Sequence, residues 1–538
     1  MVDPEEAARD HLSRIIADLS RPEAYPDPVD VVELEETHAS AVFLAGDYVY
    51  KVKKPVDFGF LDFSTLERRR FFTEEEVRLN QRLTHDVYLG VVPVVEVGGR
   101  LQLFGEGPAM EYAVKMRRLP DDRMLSVLLA KGQAGEQIFV AVAERLSRFY
   151  SEAATGPGID EWGTTAAVWR NIRENLEQTA PYLGTIIAPF QLQLIEEVSS
   201  RFLNQESDRF AERIACGMIR EGHGDLRLAH ICVEGPAPAD LQIIDCIEFN
   251  PRLRCGDIAV DVAFLAMDLD YHGHPELGSA FVDHLSRQLQ DPDLSRLVHF
   301  FSIYRAYVRA KVACFRSNEL APEMPEYLVV KREAERYIDL ATSYIVEPET
   351  PTMFLVGGLS GTGKSVVARR LARSLDATLL SSDVVRKELA GLLPETRMPV
   401  KYGTGIYTSE HTERTYETIL EHAREILAAG RSVVLDATFL DSHWHERAHD
   451  VASCTGVDVL LIECRCPPTV VYERLERRAR VASEASDADW GVYQRQRERF
   501  GDTLVQVVEM PCIAINTDQS SSLILDTILS SLRLRKRL

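Results

Sequence analysis

The sequence lacks a membrane-length apolar run, and its start, Met1-Val2-Asp3-Pro4-Glu5-Glu6, lacks a basic segment followed by an apolar stretch. These absences argue against a membrane-spanning protein and against a secretion signal. Cysteine is scarce as well, with 9 in 538 residues and no CxxC pair. The cysteines therefore do not indicate a disulfide framework, and we expect a reduced, cytoplasmic protein.

The chain also has fewer basic than acidic residues. The chain has 61 basic and 83 acidic residues, which gives a net charge of -22. Such a field repels polyanions, so we expect no extended nucleic-acid surface, although a local basic pocket could still bind a phosphate. The 45% hydrophobic and 27% charged residues are typical of a soluble globular protein, and the length predicts at least two domains.

The domain boundary is predicted at residues 347–351, a short polar segment rich in proline. Before it, residues 1–346 place strand-like runs at 41–44 and 48–52 ahead of long helical stretches after residue 120, a pattern that predicts an α+β domain. After it, residues 352–538 alternate strands and helices and predict an α/β domain with a parallel five-stranded sheet. The five predicted strands are 353–356, 378–380, 433–435, 457–462 and 512–515.

A complete GxxxxGKS motif follows the first of these strands and precedes a helical pattern. Its residues that we expect to hold a nucleotide are Gly358, Ser360, Gly361, Thr362, Gly363, Lys364 and Ser365. The glycines let backbone amides turn toward an anion, and the lysine brings a positive charge to the β- and γ-phosphates. The Ser365 hydroxyl would bind Mg²⁺. The motif predicts a P-loop (Walker A) site for ATP.

Two aspartates follow neighbouring strands. Asp436 follows the run 433–435 and is, with Ser365, a predicted residue of the metal site, where it could orient a metal-bound water, or it could merely cap a turn. Asp383 follows the second strand, where a carboxylate can accept the proton of an attacking hydroxyl, or it could cap the next helix. Arg386, one helical turn further on, would hold an anionic or hydroxylated part of a substrate.

Two arginines share one face of a later helical segment. Arg474 and Arg478 stand one turn apart and could neutralise charge on a transferring phosphoryl group. The alternative is a pair of surface arginines bonded to Glu473 and Glu476.

Residues 352–538 resemble the P-loop small-molecule and polynucleotide 5′-hydroxyl kinases, including the zeta-toxin-like branch. The resemblance rests on the P-loop, on a DxxR at Asp383 and Arg386, on DATF from Asp436 and on the two later arginines. It implies that Asp383 is the general base, that Arg386 binds substrate and that Arg474 and Arg478 act as lid arginines. The motifs do not specify the acceptor.

The segment His223-Gly224-Asp225-Leu226-Arg227-Leu228-Ala229-His230, followed by Asp245, resembles the catalytic core of aminoglycoside phosphotransferase-like enzymes of the protein-kinase fold. That resemblance implies that Asp225 is catalytic and that Asp245 binds Mg²⁺. It also implies structural roles for Asp257 and Asp261.

The same resemblance calls for a strand lysine paired with a helix glutamate. Lys51 is the candidate lysine, and Glu76 is preferred over its two preceding neighbours because apolar residues follow it. Two features depart from the family: His230 stands where an asparagine usually binds the second metal, and no GxGxxG loop precedes Lys51. Glu248 or Asn250 could supply the missing oxygen, or the domain could be catalytically silent.

Together the two halves resemble bacterial two-domain proteins. We expect an ATP-dependent and magnesium-dependent phosphotransferase, bifunctional if both halves are active, whose acceptor is a hydroxyl of a sugar, a nucleotide-sugar or a polynucleotide 5′ end. The competing hypothesis is an ATP-driven switch that carries a silent kinase-like domain.

Overall fold

The computed structural model describes residues 4–59, 61–348, 350–393, 405–479, 488–501, 510–532 and 534–536. Contacts divide the chain into two compact units, the first formed by Met1–Val168 with Gln205–Ser302 and the second by Trp169–Asn204 with Ile303–Leu538. The second unit thus includes two stretches that precede the predicted linker. The boundary at 347–351 remains a prediction about where the sequence pattern changes.

Helices dominate the chain up to residue 343. They are α1 Pro4–Leu19, α2 Leu66–Asn80, α3 Leu125–Ala130, α4 Glu136–Glu152, α5 Pro157–Asp160, α6 Thr165–Thr179, α7 Pro189–Gln205, α8 Ser207–Ala215, α9 Pro251–Arg254, α10 Ile258–Tyr271, α11 Pro275–Leu289, α12 Leu294–Asn318 and α13 Pro325–Ser343. The strands of this part are β1 Val32–Glu36, β2 Ser40–Ala45, β3 Tyr48–Lys53, β4 Tyr88–Val97, β5 Arg100–Gln102, β6 Ala109–Arg117, β7 Ile219–Glu221, β8 Ile231–Val233, β9 Leu241–Ile243, β10 Cys255–Asp257 and β11 Val346–Pro348.

Strands and helices then alternate. The strands are β12 Thr352–Gly357, β13 Thr378–Ser381, β14 Val433–Asp436, β15 Asp458–Arg465, β16 Cys512–Asn516 and β17 Leu534–Lys536. The helices are α14 Lys364–Ser374, α15 Ser382–Leu389, α16 Ser409–Ala428, α17 Ser442–Thr455, α18 Pro468–Ala479, α19 Trp490–Phe500 and α20 Ser521–Ser531.

The first unit is built on a six-stranded antiparallel sheet in the order β1-β2-β3-β6-β4-β5. Because side chains alternate along a strand, β3 buries Tyr50 and Val52 in an apolar cluster with Ile15 and Leu19 of α1, while Lys51 and Lys53 face α2. Thr65 caps α2 through its side chain. The sheet therefore presents two lysines to one glutamate-bearing helix.

The second unit contains a parallel five-stranded sheet in the order β13-β14-β12-β15-β16. All six residues of the central strand β12 are buried, as expected for a strand covered on both faces. Five predicted strands are present with shifted ends, and the predicted fold class, α+β followed by α/β, is confirmed. The carboxyl ends of β12, β13 and β14 meet at one edge of this sheet, which brings their following loops together.

Within the described ranges, no helix combines the length and apolarity that crossing a membrane requires.

Candidate active site

The P-loop runs from the end of β12 to the start of α14. Gly358 (φ 136°) lies so close to β15 that a Cβ there would stand 2.5 Å from the Cys464 carbonyl oxygen. Gly361 (φ 80°) is equally constrained, because a Cβ would come within 2.9 Å of Val471. Glycine at these two positions is therefore required by both conformation and space.

The inner amides of the loop form an anion-binding concavity. Within the described part of the chain, the backbone amides of Gly361, Gly363, Lys364 and Ser365 donate to no protein oxygen. They stand at the N-terminus of α14, where the helix dipole also favours negative charge. The Lys364 ammonium donates to the Leu359 carbonyl at 2.9 Å. Free amides and a nearby lysine suit the terminal phosphates of a nucleotide.

Lys364 and Asp436 lie close together under the loop. Burial lowers the pKa of Lys364, and the carboxylates of Asp436 and Asp383 partly oppose that shift. Burial also raises the pKa of Asp436, which accepts a hydrogen bond from Ser365 and is 6% exposed. A buried carboxylate beside a serine hydroxyl fits a magnesium ion, which needs only one or two protein oxygens when phosphates and water supply the rest. The described residues hold no cluster of three or more histidine, cysteine, aspartate or glutamate side chains that could bind a metal.

Asp383 lies in the first turn of α15, close enough to Lys364 and Asp436 to act on their pKa values. Ser381 occupies the N-cap position of this helix without a side-chain cap bond, and Asp383 follows two residues later. The structure thus brings the predicted base, the P-loop lysine and the predicted metal ligand to one edge of the sheet.

Arg386 is 6% exposed, and its guanidinium forms hydrogen bonds with other residues of the protein. Its guanidinium donates to the Ile406 carbonyl and to the Thr412 hydroxyl, each at 3.0 Å, and lies over the Tyr407 ring. Its Nε is buried and has no hydrogen-bond partner among the described residues. The substrate role of Arg386 stays a prediction, and these contacts show that it also holds α15 against the start of α16.

Both predicted lid arginines lie beside the P-loop. Arg474 donates to the Thr517 carbonyl at 2.6 Å and to its hydroxyl at 3.2 Å, and the Thr517 hydroxyl donates to the Thr362 carbonyl at 2.5 Å. Arg478 donates to the Ala488 carbonyl, and its charge contributes to lowering the pKa of Lys364.

The turn after β14 is held by a residue that sequence reasoning missed. The Tyr416 hydroxyl accepts from the Phe439 amide at 3.2 Å and lies 3.1 Å from the Thr438 hydroxyl. Phe439 has a left-handed backbone (φ 46°), which is strained for an aromatic residue. The Thr438 carbonyl accepts from the Gly358 amide at 3.0 Å. Tyr416 therefore supports both the strand end that carries Asp436 and the entry to the P-loop, and no motif marks it in the sequence.

In the first unit, Lys51 bridges two of the predicted site residues. Its ammonium lies 2.8 Å from Glu76 and 2.9 Å from Asp245. The neighbouring Lys51 lowers the pKa of Asp245 well below its ordinary range, and Asp245 has a left-handed backbone (φ 65°). The expected pairing of Lys51 with Glu76 is present, and the left-handed conformation of Asp245 suggests a functional position.

A second lysine completes this site. Lys53 is 1% exposed and forms ion pairs with Glu76 at 2.7 Å and with Glu248. Burial raises the pKa of Glu248, whereas the two lysines hold the pKa of Glu76 below its ordinary value against the effect of burial. Glu248, considered above as a metal ligand, is thus bound to Lys53. The spacing of Lys51 and Lys53 on one strand face was the signal that could have revealed this pair.

Asp225 is bonded to its own loop. Both its carboxylate oxygens accept from Arg227 at 2.9 Å. The His230 ring lies 3.6 Å from Asp225 and 3.7 Å from Asp245, between the two aspartates. Two further aspartates behave as structural residues: Asp261 accepts from the His223 and Gly224 amides, and Asp257 is paired with Arg213.

The chain thus combines a lysine–glutamate–aspartate cluster at an antiparallel sheet with a P-loop on a parallel sheet, and so is a two-unit P-loop protein. A family model described as an AAA domain matches residues 353–503. The uncharacterized protein Rv2004c of Mycobacterium tuberculosis (strain ATCC 25618 / H37Rv) is 33% identical over 474 residues, which cover 86% of this chain and 92% of that protein. The uncharacterized protein Mb2027c of Mycobacterium bovis gives the same values. The chain belongs to the family of these mycobacterial proteins.

Solved structures resemble parts of the chain. A putative kinase from Chloroflexus aurantiacus J-10-fl is 20% identical, with a TM-score of 0.29, and covers 34% of this chain and 100% of its own. A choline/ethanolamine kinase family protein from Mesorhizobium loti is 12% identical, with a TM-score of 0.33, and covers 61% of this chain and 99% of its own. Both TM-scores are low, so the fold assignment rests on the topology described above.

Proposed function

We propose that the P-loop kinase-like domain transfers the γ-phosphoryl group of ATP to a hydroxyl group of a second substrate. The observation that carries this proposal is the position of Asp383, two residues after Ser381, which pairs with Asp436 where β13 and β14 end side by side, and near enough to Lys364 to affect its pKa. A carboxylate at this position can accept the proton of an attacking hydroxyl group. The predicted acceptors are a sugar, a nucleotide-sugar or a polynucleotide 5′ end.

The chemistry assigns one task to each group. Asp383 takes the proton of the acceptor hydroxyl while the oxygen of that hydroxyl bonds to the γ-phosphorus. The bond between the γ-phosphorus and the bridging oxygen breaks, and its electron pair leaves with ADP. Lys364 and the loop amides hold the β- and γ-phosphates, and Arg474 and Arg478 offset the charge on the moving group. Ser365 and Asp436 would hold Mg²⁺, which supplies further neutralisation of phosphate charge. Positioning and electrostatics account for most of such a rate enhancement.

The test is phosphoryl transfer by the full chain with labelled ATP and a panel of sugars, nucleotide-sugars and oligonucleotides. Asp383→Asn is expected to bind ATP as the unaltered protein does and to lose about 100-fold or more in transfer. Glu388→Gln is the matched control, because this exposed residue lies on the same helix. Transfer at full rate by Asp383→Asn would contradict the base assignment. Release of only ADP and free phosphate with every acceptor would favour the ATP-driven switch instead.

A second candidate function belongs to the first unit. We propose that Lys51, Glu76, Asp225 and Asp245 form a separate site for ATP and Mg²⁺. The bridge from Lys51 to both Glu76 and Asp245 supports it, because a nucleotide phosphate and a cation can replace these two contacts. The test is ATP binding by a Lys364→Met protein. Residual binding that disappears on adding Lys51→Met supports the site, and its persistence would exclude it.

A further inference from the structure

Helix α19 forms a buried hydrogen bond with the P-loop. The Gln496 carboxamide oxygen accepts from the Ser360 amide at 2.8 Å, and Gln496 is only 7% exposed. Ser360 is part of the P-loop, whereas Gln496 lies far along the sequence, in a helix to which no motif assigns a function.

Apolar packing fixes α18 and α19 against the same loop. Leu359 of the loop forms one buried cluster with Val471 and Leu475 of α18 and with Tyr493 of α19. Trp490 stacks on Tyr493 with ring centroids 4.9 Å apart. The two helices therefore form a single arm, which we define as α18 plus α19, and it carries Arg474 and Arg478.

The Ser360 amide differs from four other loop amides. Those of Gly361, Gly363, Lys364 and Ser365 donate to no protein oxygen within the described residues and are free to receive a phosphate. Ser360 precedes this group, and its N–H is already satisfied by Gln496. Gln496 therefore does not occupy the phosphate position; it braces the loop from outside.

We propose that Gln496 is a positioning residue that ties the arm to the P-loop, so that nucleotide binding and the placement of Arg474 and Arg478 depend on one another. This inference deepens the proposed function and rests on the P-loop as its ATP site. Without the Gln496 oxygen, the Ser360 amide loses its buried partner and the loop gains alternatives to the phosphate-binding conformation.

The experiment compares three variants of the full chain. Gln496→Met keeps the length of the side chain but removes the acceptor, Gln496→Glu keeps an acceptor, and Gln494→Met is the matched control on the exposed face of α19. The ATP affinity measured is that of the P-loop site, which is the part of ATP binding that Lys364→Met abolishes. Hydrogen exchange is followed in the peptide containing Ser360.

Gln496→Met is expected to weaken ATP binding about tenfold, the size of one buried hydrogen bond, and to speed exchange at Ser360. Gln496→Glu should restore slow exchange there, and Gln494→Met should change neither quantity. Unchanged affinity and exchange in Gln496→Met would overturn the proposal, and tighter ATP binding would show that Gln496 blocks the site. Because ATP binding requires no acceptor, a chain that transfers no phosphoryl group still tests Gln496. If the unaltered chain shows no ATP binding that Lys364→Met abolishes, both the role of Gln496 and the proposed kinase function are overturned.

Discussion

The buried His223 ring makes a contact in the Asp225 loop sensitive to pH. Its Nε2 donates to the Ile244 carbonyl at 2.9 Å, and its Nδ1 accepts from the Asp225 amide at 3.2 Å. Both bonds together require the neutral ring with its proton on Nε2. Burial lowers the pKa of His223 to about 4. A second proton would face the Asp225 amide and break that contact.

This pKa predicts a loss of stability in weak acid. The unfolded chain takes up the proton near pH 6.5, whereas the folded chain does not. The stability that the neutral His223 ring contributes is therefore complete above pH 6.5 and falls as the pH decreases toward 4. His223 should account for about 2 kcal/mol of the stability lost between pH 6.5 and 5. Urea unfolding in EDTA at both pH values measures it, with the exposed His38→Gln as control. A His223→Gln protein with the same pH dependence as the unaltered chain would contradict the assignment.

Lys53 supports a second prediction at this scale. Lys53→Met leaves the carboxylates of Glu76 and Glu248 buried without their shared cation, which should lower the free energy of unfolding of the first unit by about 3–5 kcal/mol. Lys54→Met is the matched control, because its partner Glu36 is exposed, and it should cost about 1 kcal/mol or less. Denaturant unfolding checks both. Equal effects of the two substitutions would show that the buried ion pairs contribute little.

Among elements, the strands of the parallel sheet could be predicted well, and their connections could not. Buried parallel strands are continuous apolar runs, so the stretches 353–356 and 433–435 were visible in the sequence and lie within β12 and β14. The turn at Phe439 depends instead on a tyrosine from α16, a tertiary contact with no local pattern. Gln496 escaped prediction for the same reason, because its partner Ser360 is distant in the chain.

The substitution Tyr416→Phe tests whether the Tyr416 hydroxyl stabilises the turn at Phe439. Removing the hydroxyl leaves the buried Phe439 amide without its acceptor, so the second unit should lose about 1–3 kcal/mol of stability. ATP binding in the presence of magnesium should weaken as well, because the turn carries Asp436 and holds the Gly358 amide. Tyr472→Phe, at an exposed position of α18, is the control. An unchanged magnesium dependence of ATP binding would separate Tyr416 from the metal site.

At the scale of the molecule, the second unit is larger than the sequence pattern indicated. Asp339 of α13 is fully buried and accepts from Arg370 of α14 and Gln191 of α7, each at 3.1 Å. Arg370 also donates to the Ile186 carbonyl at 3.0 Å. Helix α14 begins at the P-loop lysine, so residues that precede the predicted linker pack against the helix that carries this lysine. Pairings over such sequence distances cannot be read from local periodicity.

This network makes the P-loop fold dependent on residues before 347. Asp339→Asn removes the charge facing Arg370, which is 3% exposed, and should cost the second unit about 3–5 kcal/mol in urea unfolding. Glu326→Gln is the matched control, an exposed residue of the same helix.

A fragment of residues 352–538 lacks both Asp339 and the Ile186 carbonyl, and so leaves the Arg370 guanidinium without two of its buried partners. Helix α14 also loses its packing against α13, so it should not keep its position, and the fragment should bind ATP far more weakly than the full chain. Restoring residues 169–204 and 303–346 should recover binding, because these stretches complete the compact unit. Sedimentation, unfolding and ATP titration of both fragments measure this. A monomeric, cooperatively folded 352–538 fragment with the ATP affinity of the full chain would place the boundary at residues 347–351 after all.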